Sequence, residues 1–302
     1  MAIRTDRAAR ATRRGLAAGF FVLTACSASS ADDDAAPLHD AAAPPITEHL
    51  PQPAILVFSK TNGWRHDEGI AGADLFFVRL AREEGYGIYT TENGAVFTPE
   101  VLDRFAVVVF NSVTGDVLSP QQEAAFEAWV EAGGGFIGLH ASGDASSQGW
   151  GWYREALIGP DYMNHPFDPQ FQEARVQVLT PDHPVARGLP ASWRQTEEWY
   201  SFTASATEGG FTPILGLDET TYQAKNEVWA PGPDLGMGPR PEDHPIVSAN
   251  CPGEGRSVYS AIGHLDTAYE VEPYAALLRG AFAWVSGETD PEGAACPRGV
   301  SG

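Results

Sequence analysis

A histidine stands where a short apolar run ends: Phe136-Ile137-Gly138-Leu139 leads into His140-Ala141-Ser142. One polar side chain among small residues after a strand is the layout of a nucleophile elbow, the sharp turn that exposes a reactive group above a sheet. The elbow position holds an imidazole, and the chain contains no Gly-x-Ser-x-Gly, which removes the ordinary α/β-hydrolase reading. His264, in Gly263-His264-Leu265-Asp266, again sits between an apolar stretch and the last helical pattern. His66 follows Arg65 in a polar loop, and His165 precedes Pro166. Imidazoles and a carboxylate at near-neutral pH suit general acid–base chemistry on a sugar hydroxyl or a carbon beside a carbonyl. Glu198 and Tyr200 alternate to one face of an expected strand and would present an acid and a hydroxyl together. His140, His264 and Glu198 are therefore the candidate catalytic groups, and His66, Tyr200, Asp144 and His165 the candidate substrate contacts. An elbow residue packs little side-chain area, so loss of the His140 side chain is expected to spare the fold. His183-Pro184 reads as a structural turn, and His39, His49 and His244 receive no role. Several histidines could instead hold a divalent metal, making a metal-dependent hydrolase, but no His-x-x-x-His spacing supports it, so no cofactor is expected. Trp150, Trp152, Tyr153, Trp193 and Trp199 are expected to be exposed and to stack on a sugar face.

The elements that must position these groups alternate. Ala54–Ser59, Ala106–Phe110 and Phe136–His140 are continuously apolar, the mark of strands buried on both faces. Between them, helices are predicted over residues 70–84, 99–104 and 119–132, with a strand at 86–91; Ser119 and Pro120 form an N-terminal signal and Gly85 and Gly133 are stops. This pattern predicts an α/β domain with a mostly parallel sheet covered on both faces, and a site beyond the strands' carboxyl ends. The second half is richer in Trp, Pro and Gly and reads as partly antiparallel, with strands near 175–179, 198–202, 212–217 and 257–262. A final helix is predicted over 273–285.

Several of these pieces together resemble the ThuA-like (trehalose utilisation) domain, a branch of the class I glutamine amidotransferase-like superfamily. They are Phe58-Ser-Lys-Thr-Asn-Gly-Trp-Arg-His66, Gly133 to Ala141, His165-Pro166, His183 to Leu189, Glu197-Glu198-Trp199-Tyr200 and Gly255-Arg256 through Gly263-His264, in the family's order. The resemblance covers residues 54–287 and implies a flavodoxin-like three-layer α/β/α sandwich. It places His140 at the position of the amidotransferase cysteine, so glutamine hydrolysis through a thioester is not expected. It also implies that the late His-x-Glu survives as His264-x-Asp266, which adds Asp266 to the substrate contacts. The family is associated with trehalose and related sugars, beside sugar dehydrogenases that make 3-keto sugars. The expected ligand is thus a small sugar or keto-sugar, with such a dehydrogenase as a possible partner. A module that binds sugar without chemistry is the alternative.

Charge narrows the setting. The 302 residues carry 19 Lys and Arg against 40 Asp and Glu, a net charge of −21, and only Lys60 and Lys225 are lysines. Nucleic acid is excluded as a partner, since phosphate binding needs clustered cations. The first 26 residues run the other way, with five arginines against Asp6, or +4, leaving −25 on the rest. Basic residues, an apolar run from Gly15 to Ala25, then Leu23-Thr24-Ala25-Cys26 read as an export signal ending in a lipobox. Thr12-Arg13-Arg14 also resembles a twin-arginine signal. Cys26 is expected to be acylated and to hold the protein on a bacterial membrane, facing the periplasm or exterior. Residues 27–53, rich in Ala, Ser, Pro and Asp, read as a solvated tether, and 288–302 as a tail. Cys251 and Cys296 remain, and an even pair in an oxidising compartment suggests one disulfide, two free thiols being the alternative.

Overall fold

Each continuously apolar run becomes a strand with no exposed position. β1 (Ala54–Phe58), β3 (Val107–Asn111) and β4 (Gly135–Leu139) are buried at every residue, because helices cover both of their faces. The computed structural model describes residues 39–46, 49–144, 149–225, 234–290 and 292–296; Cys26 and the export segment lie outside the described residues. The remaining strands are β2 (Gly87–Thr91), β5 (Tyr162–Asn164), β6 (Phe171–Val178), β7 (Ser192–Glu198), β8 (Ser201–Phe202), β9 (Thr212–Asp218), β10 (Pro245–Asn250) and β11 (Arg256–Ser260). Nine of them form one sheet in the order β2-β1-β3-β4-β11-β10-β9-β6-β7, and β5 pairs with β8 apart.

The first five strands of that order are parallel, and the next four are antiparallel. The parallel block has the flavodoxin order 2-1-3-4-5, with β11 as its fifth strand. A chain segment from near the C-terminus therefore lies beside β4 and aligns its carboxyl end with that of β4.

The helices show why their sequences fold locally. α1 (Asp67–Glu84) begins with Asp67 and Glu68 facing the positive end of the helix dipole, and Gly85 ends it at φ 76°. Periodicity alone places the start at Ile70; the first turn is polar and invisible to that pattern. α2 (Pro99–Leu102) is one turn, capped by Thr98. α3 (Pro120–Glu131) opens on a capping box in which Ser119 and Gln122 bond each other's backbone. α4 (Gly151–Tyr153) runs on into a π-helical turn, Arg154–Ile158. α5 (Glu272–Val285) buries Tyr274, Leu277, Leu278, Phe282 and Trp284. On the α3 side, Phe58, Phe97, Phe110, Phe126 and Phe136 pack as one aromatic cluster, with Phe110 and Phe126 stacked at 5.2 Å.

Two expectations need correction. From His39 onward the tether is attached to the body: Asp40 bonds Lys60 at 2.6 Å and the Gly94 amide at 2.8 Å, and the carbonyls of Ala42 and Ile46 accept from Asn93 and Arg104. The strand expected over 198–202 is two strands, since β7 stops at Glu198 and the chain turns before β8. The tail is fastened as its cysteines suggested: Cys251 and Cys296 are joined by a disulfide closing 45 residues, and Arg256 donates to the carbonyls of Trp284, Thr289 and Asp290. Among the described residues no helix is long and apolar enough to cross a membrane.

Candidate active site

His140 begins where β4 ends, at φ 46°, in the left-handed region that costs a non-glycine residue about 1 kcal/mol or more. The turn is fixed from outside. Tyr259 on the neighbouring strand donates to the His140 carbonyl at 3.0 Å, and Ser142 and Tyr153 tie the following residues to the Phe110 carbonyl and to each other. The His140 ring lies 2.9 Å by Nδ1 from the Ala261 carbonyl. A carbonyl only accepts, so Nδ1 carries a proton and Nε2 is the nitrogen turned toward the site.

Four groups converge there. His140 Nε2 lies 3.0 Å from the Tyr200 hydroxyl, 3.1 Å from His264 Nδ1 and 3.4 Å from Glu198 Oε2. His264 Nδ1 is itself 3.0 Å from Glu198 Oε2. The other carboxylate oxygen, Oε1, is taken by His165 Nε2 at 3.2 Å and by the Gln170 amide. His66 stands edge-on to both rings, its centroid 4.8 Å from that of His140 and 4.7 Å from that of His264.

The fold explains the meeting. His140 and the His264 loop leave adjacent parallel strands, β4 and β11, on one rim. His66 immediately precedes α1, and the first turn of α1 presses on the His264 loop. A Cβ on Gly69 would lie 2.1 Å from the Gly263 carbonyl oxygen and 2.9 Å from that of His264, so only glycine permits this approach. Glu197 and Glu198 arrive from the opposite edge of the sheet, at the end of β7. The buried Glu197 carboxylate accepts from the Gly263 amide at 3.0 Å and from the Glu198 amide at 2.9 Å, pinning β7 to the same loop. Glu198 and Tyr200 do meet at His140 Nε2, although not by strand alternation; the turn after β7 brings Tyr200 back over His140. That turn is held by His244, which bridges the Tyr200 carbonyl at 2.7 Å and Glu219 at 2.8 Å. His244 was missed in the sequence, where its only signal is a His-Pro pair before β10.

Electrostatics follow from burial and from one carboxylate. Burial pushes the His66 imidazole down to about 3, helped by the neighbouring His140 and His264, so His66 is neutral. His165 is also lowered, chiefly by burial. Burial works against a charged His140, but the hydrogen bond and charge of Glu198 outweigh it and shift His140 upward. Burial would raise Glu198 too; its bonds to His140 and His264 win, and it stays ionised far below the usual carboxylate range. Glu197 is raised by burial.

These groups floor a cleft of about 700 Å³, a size that suits a small ligand. His66, Asp144, His165, Glu198, Tyr200 and His264 line it, with Trp64, Tyr162, Phe167 and Phe171 as apolar walls. His140 does not line the cleft; it is fully buried one layer below, and its cover is His66, His264 and Tyr200. Asp266 is not in the cleft. It is exposed at the start of a 3-10 turn, with its backbone against Gly72 of α1, and the carboxylate beside His264 is that of Glu198. The aromatic expectation also fails: Trp150, Tyr153 and Trp199 are core residues, while Trp64, 76% exposed, stands at the cleft instead.

Residues 54–285 match the family description ThuA, trehalose utilisation. The chain belongs to the ThuA family. Its fold is similar to that of a ThuA-like protein from Bacteroides uniformis, at 25% identity and TM-score 0.65, covering 81% of this chain and 95% of that one. A ThuA-like protein from Parabacteroides merdae shares the fold at 16% identity and TM-score 0.57, covering 78% of this chain and 91% of that one. No curated protein sequence matches the chain. The matched region begins with β1 and ends with α5.

Proposed function

We propose that this ThuA-family protein is an exported, lipid-anchored enzyme that performs acid–base chemistry on a small sugar or keto-sugar. The observation that carries the reading is the Glu198 carboxylate, held ionised among His140, His165 and His264 at the floor of an aromatic-walled cleft. Glu198 is too acidic to act as a proton donor. Its part is to orient His264 through Nδ1 and to stabilise that ring when it becomes charged. Nε2 of His264 is then left for the substrate, to take a proton from a hydroxyl or from a carbon beside a carbonyl. Tyr200, whose hydroxyl lies 3.0 Å from His140 Nε2, is the hydroxyl nearest to that ring for the return step. Trp64 and Phe171 offer faces on which a pyranose ring stacks. Export and anchoring rest on the basic head and Leu23-Thr24-Ala25-Cys26. A sugar dehydrogenase in the same compartment would supply a keto-sugar.

The test is turnover of trehalose, 3-keto-trehalose and related keto-disaccharides by the purified protein, beside a thermal-shift screen of the same sugars. Turnover lost in His264→Ala supports the reading. Saturable binding that raises the melting temperature without turnover would make the protein a sugar-binding module. Neither binding nor turnover by any of these sugars removes the reading.

A further inference from the structure

We propose that His66, His140, His264 and Glu198 form a binding site for one divalent transition-metal ion, Zn²⁺ or a near neighbour, at the floor of the cleft. One donor atom from each residue lies within 4.8 Å of all the others. Three of the separations are tighter still, at 3.0, 3.1 and 3.4 Å. Donors held tetrahedrally at bonds of about 2.0–2.1 Å stand roughly 3.3 Å apart, so these three atoms already span the face of a zinc polyhedron. Three imidazoles and one carboxylate select a borderline transition metal over Mg²⁺ or Ca²⁺, which take oxygen.

The surroundings are those of oriented ligands. His140 donates from Nδ1 to the Ala261 carbonyl, so Nε2 is the nitrogen that faces the cluster and the one a metal would take in place of its proton. Glu198 spends Oε1 on His165 and Gln170, leaving Oε2 facing His140 and His264 as a single donor. Hydrogen bonding alone does not satisfy the set. His66 is 8% exposed, and its buried Nδ1 has no hydrogen-bond partner among the described residues. Glu68, Asp144 and Glu198 line the cleft and, among the described residues, no Lys or Arg does, so the local field favours a cation. The four ligands come from four separate segments, which explains why no short spacing in the sequence announces them.

The inference deepens the sugar-site reading and changes one role in it: an ion on His264 Nδ1 leaves Nε2 carrying the ring's proton, so with metal bound that ring positions the substrate and the ion polarises a substrate oxygen. The full mature protein, purified without added metal, is assayed by elemental analysis. It is then stripped with a chelator and titrated with Zn²⁺ by calorimetry and with Co²⁺ by visible absorption. The expected result is one ion per chain, an intense tetrahedral Co²⁺ spectrum, and affinity lowered by about 100-fold or more in His66→Gln and His264→Gln. His183→Asn, remote from the cluster, keeps full affinity. Binding well below one equivalent at saturating Zn²⁺, or affinity unchanged in both ligand variants with circular dichroism showing a native fold, overturns the site. Chelator-insensitive sugar turnover by metal-free protein removes the metal and leaves the acid–base reading. Stoichiometric metal with no sugar turned over removes that reading and leaves the metal.

Discussion

His140 combines complete burial with a left-handed backbone, and both properties decide what its replacement does. A glutamine there keeps a polar side chain but cannot reach the Ala261 carbonyl and the Glu198–Tyr200 pair from one ring. His140→Gln is expected to lower turnover by at least about 100-fold, the loss of an acid–base partner, and stability by about 1–3 kcal/mol, the cost of buried groups left unpaired. Urea denaturation beside the activity assay checks both, and a variant as stable as wild type removes the structural half. The sequence alone implied a fold-neutral change, because an elbow reads as a surface feature until its covering rings are known. His183 gives a separate pH test. Burial holds its imidazole down at about 4, and its Nδ1 accepts from the Val185 amide to cap a short turn. The unfolded chain takes up this proton near pH 6.5 and the folded one does not until about pH 4. Stability therefore falls as pH drops through that window, by roughly 1.4 kcal/mol per pH unit for this one group. His183→Asn retains a capping acceptor and has no titration there. The pH dependence of its unfolding between 6.5 and 4 should be shallower than that of wild type, and equal slopes would count against it.

Elements place these residues through a few close approaches. The parallel block was legible because strands buried on both faces are written as uninterrupted apolar runs, as in Val107–Phe110, and because Ser119-Pro120 and Gly85 mark helix ends by backbone chemistry. The antiparallel half was less so. β10 opens on Pro245 after His244, and β6 alternates exposed and buried positions, so neither shows a long apolar run. Glu198 and Tyr200 could be named as a pair in sequence, but their meeting depends on a turn held by His244, which precedes β10. No local pattern encodes a contact between residues 44 apart. Gly69 is the clearest element-scale determinant, since α1 seats on the Gly263–His264 backbone only without a Cβ. Gly69→Ala is expected to cost about 1–3 kcal/mol by overpacking against rigid backbone and to displace His66 from His264, weakening activity and metal affinity together. Gly151→Ala, whose Cβ meets nothing within 4 Å, is the matched control and should be neutral or slightly stabilising. An active, fully stable Gly69→Ala would show that the approach is not needed.

At the scale of the whole molecule, the domain is fastened at both ends and is strongly anionic. The Cys251–Cys296 bridge and Arg256 together hold the tail on the body. Closing 45 residues restricts the unfolded chain, so Cys296→Ser should lose about 2–4 kcal/mol, read by urea denaturation of the oxidised and variant proteins. The N-terminal side carries the functional consequence. The chain beyond residue 26 bears a net charge of −25, and bacterial membranes present anionic lipid, so electrostatics repel this body from the surface it is proposed to occupy. Any attachment must come from acyl chains on Cys26, and two or more chains hold a protein stably where one does not. Because that attachment is hydrophobic, the native protein should stay in the membrane fraction through high-salt and alkaline washes and leave it only with detergent. Cys26→Ser should move the exported protein to the soluble fraction with its cleft chemistry unaltered, since the first cleft residue, Trp64, lies 38 residues later. Intact-mass analysis of the mature N-terminus decides the matter: an unmodified Cys26, or a wild-type protein washed off by salt, rules out the lipid anchor.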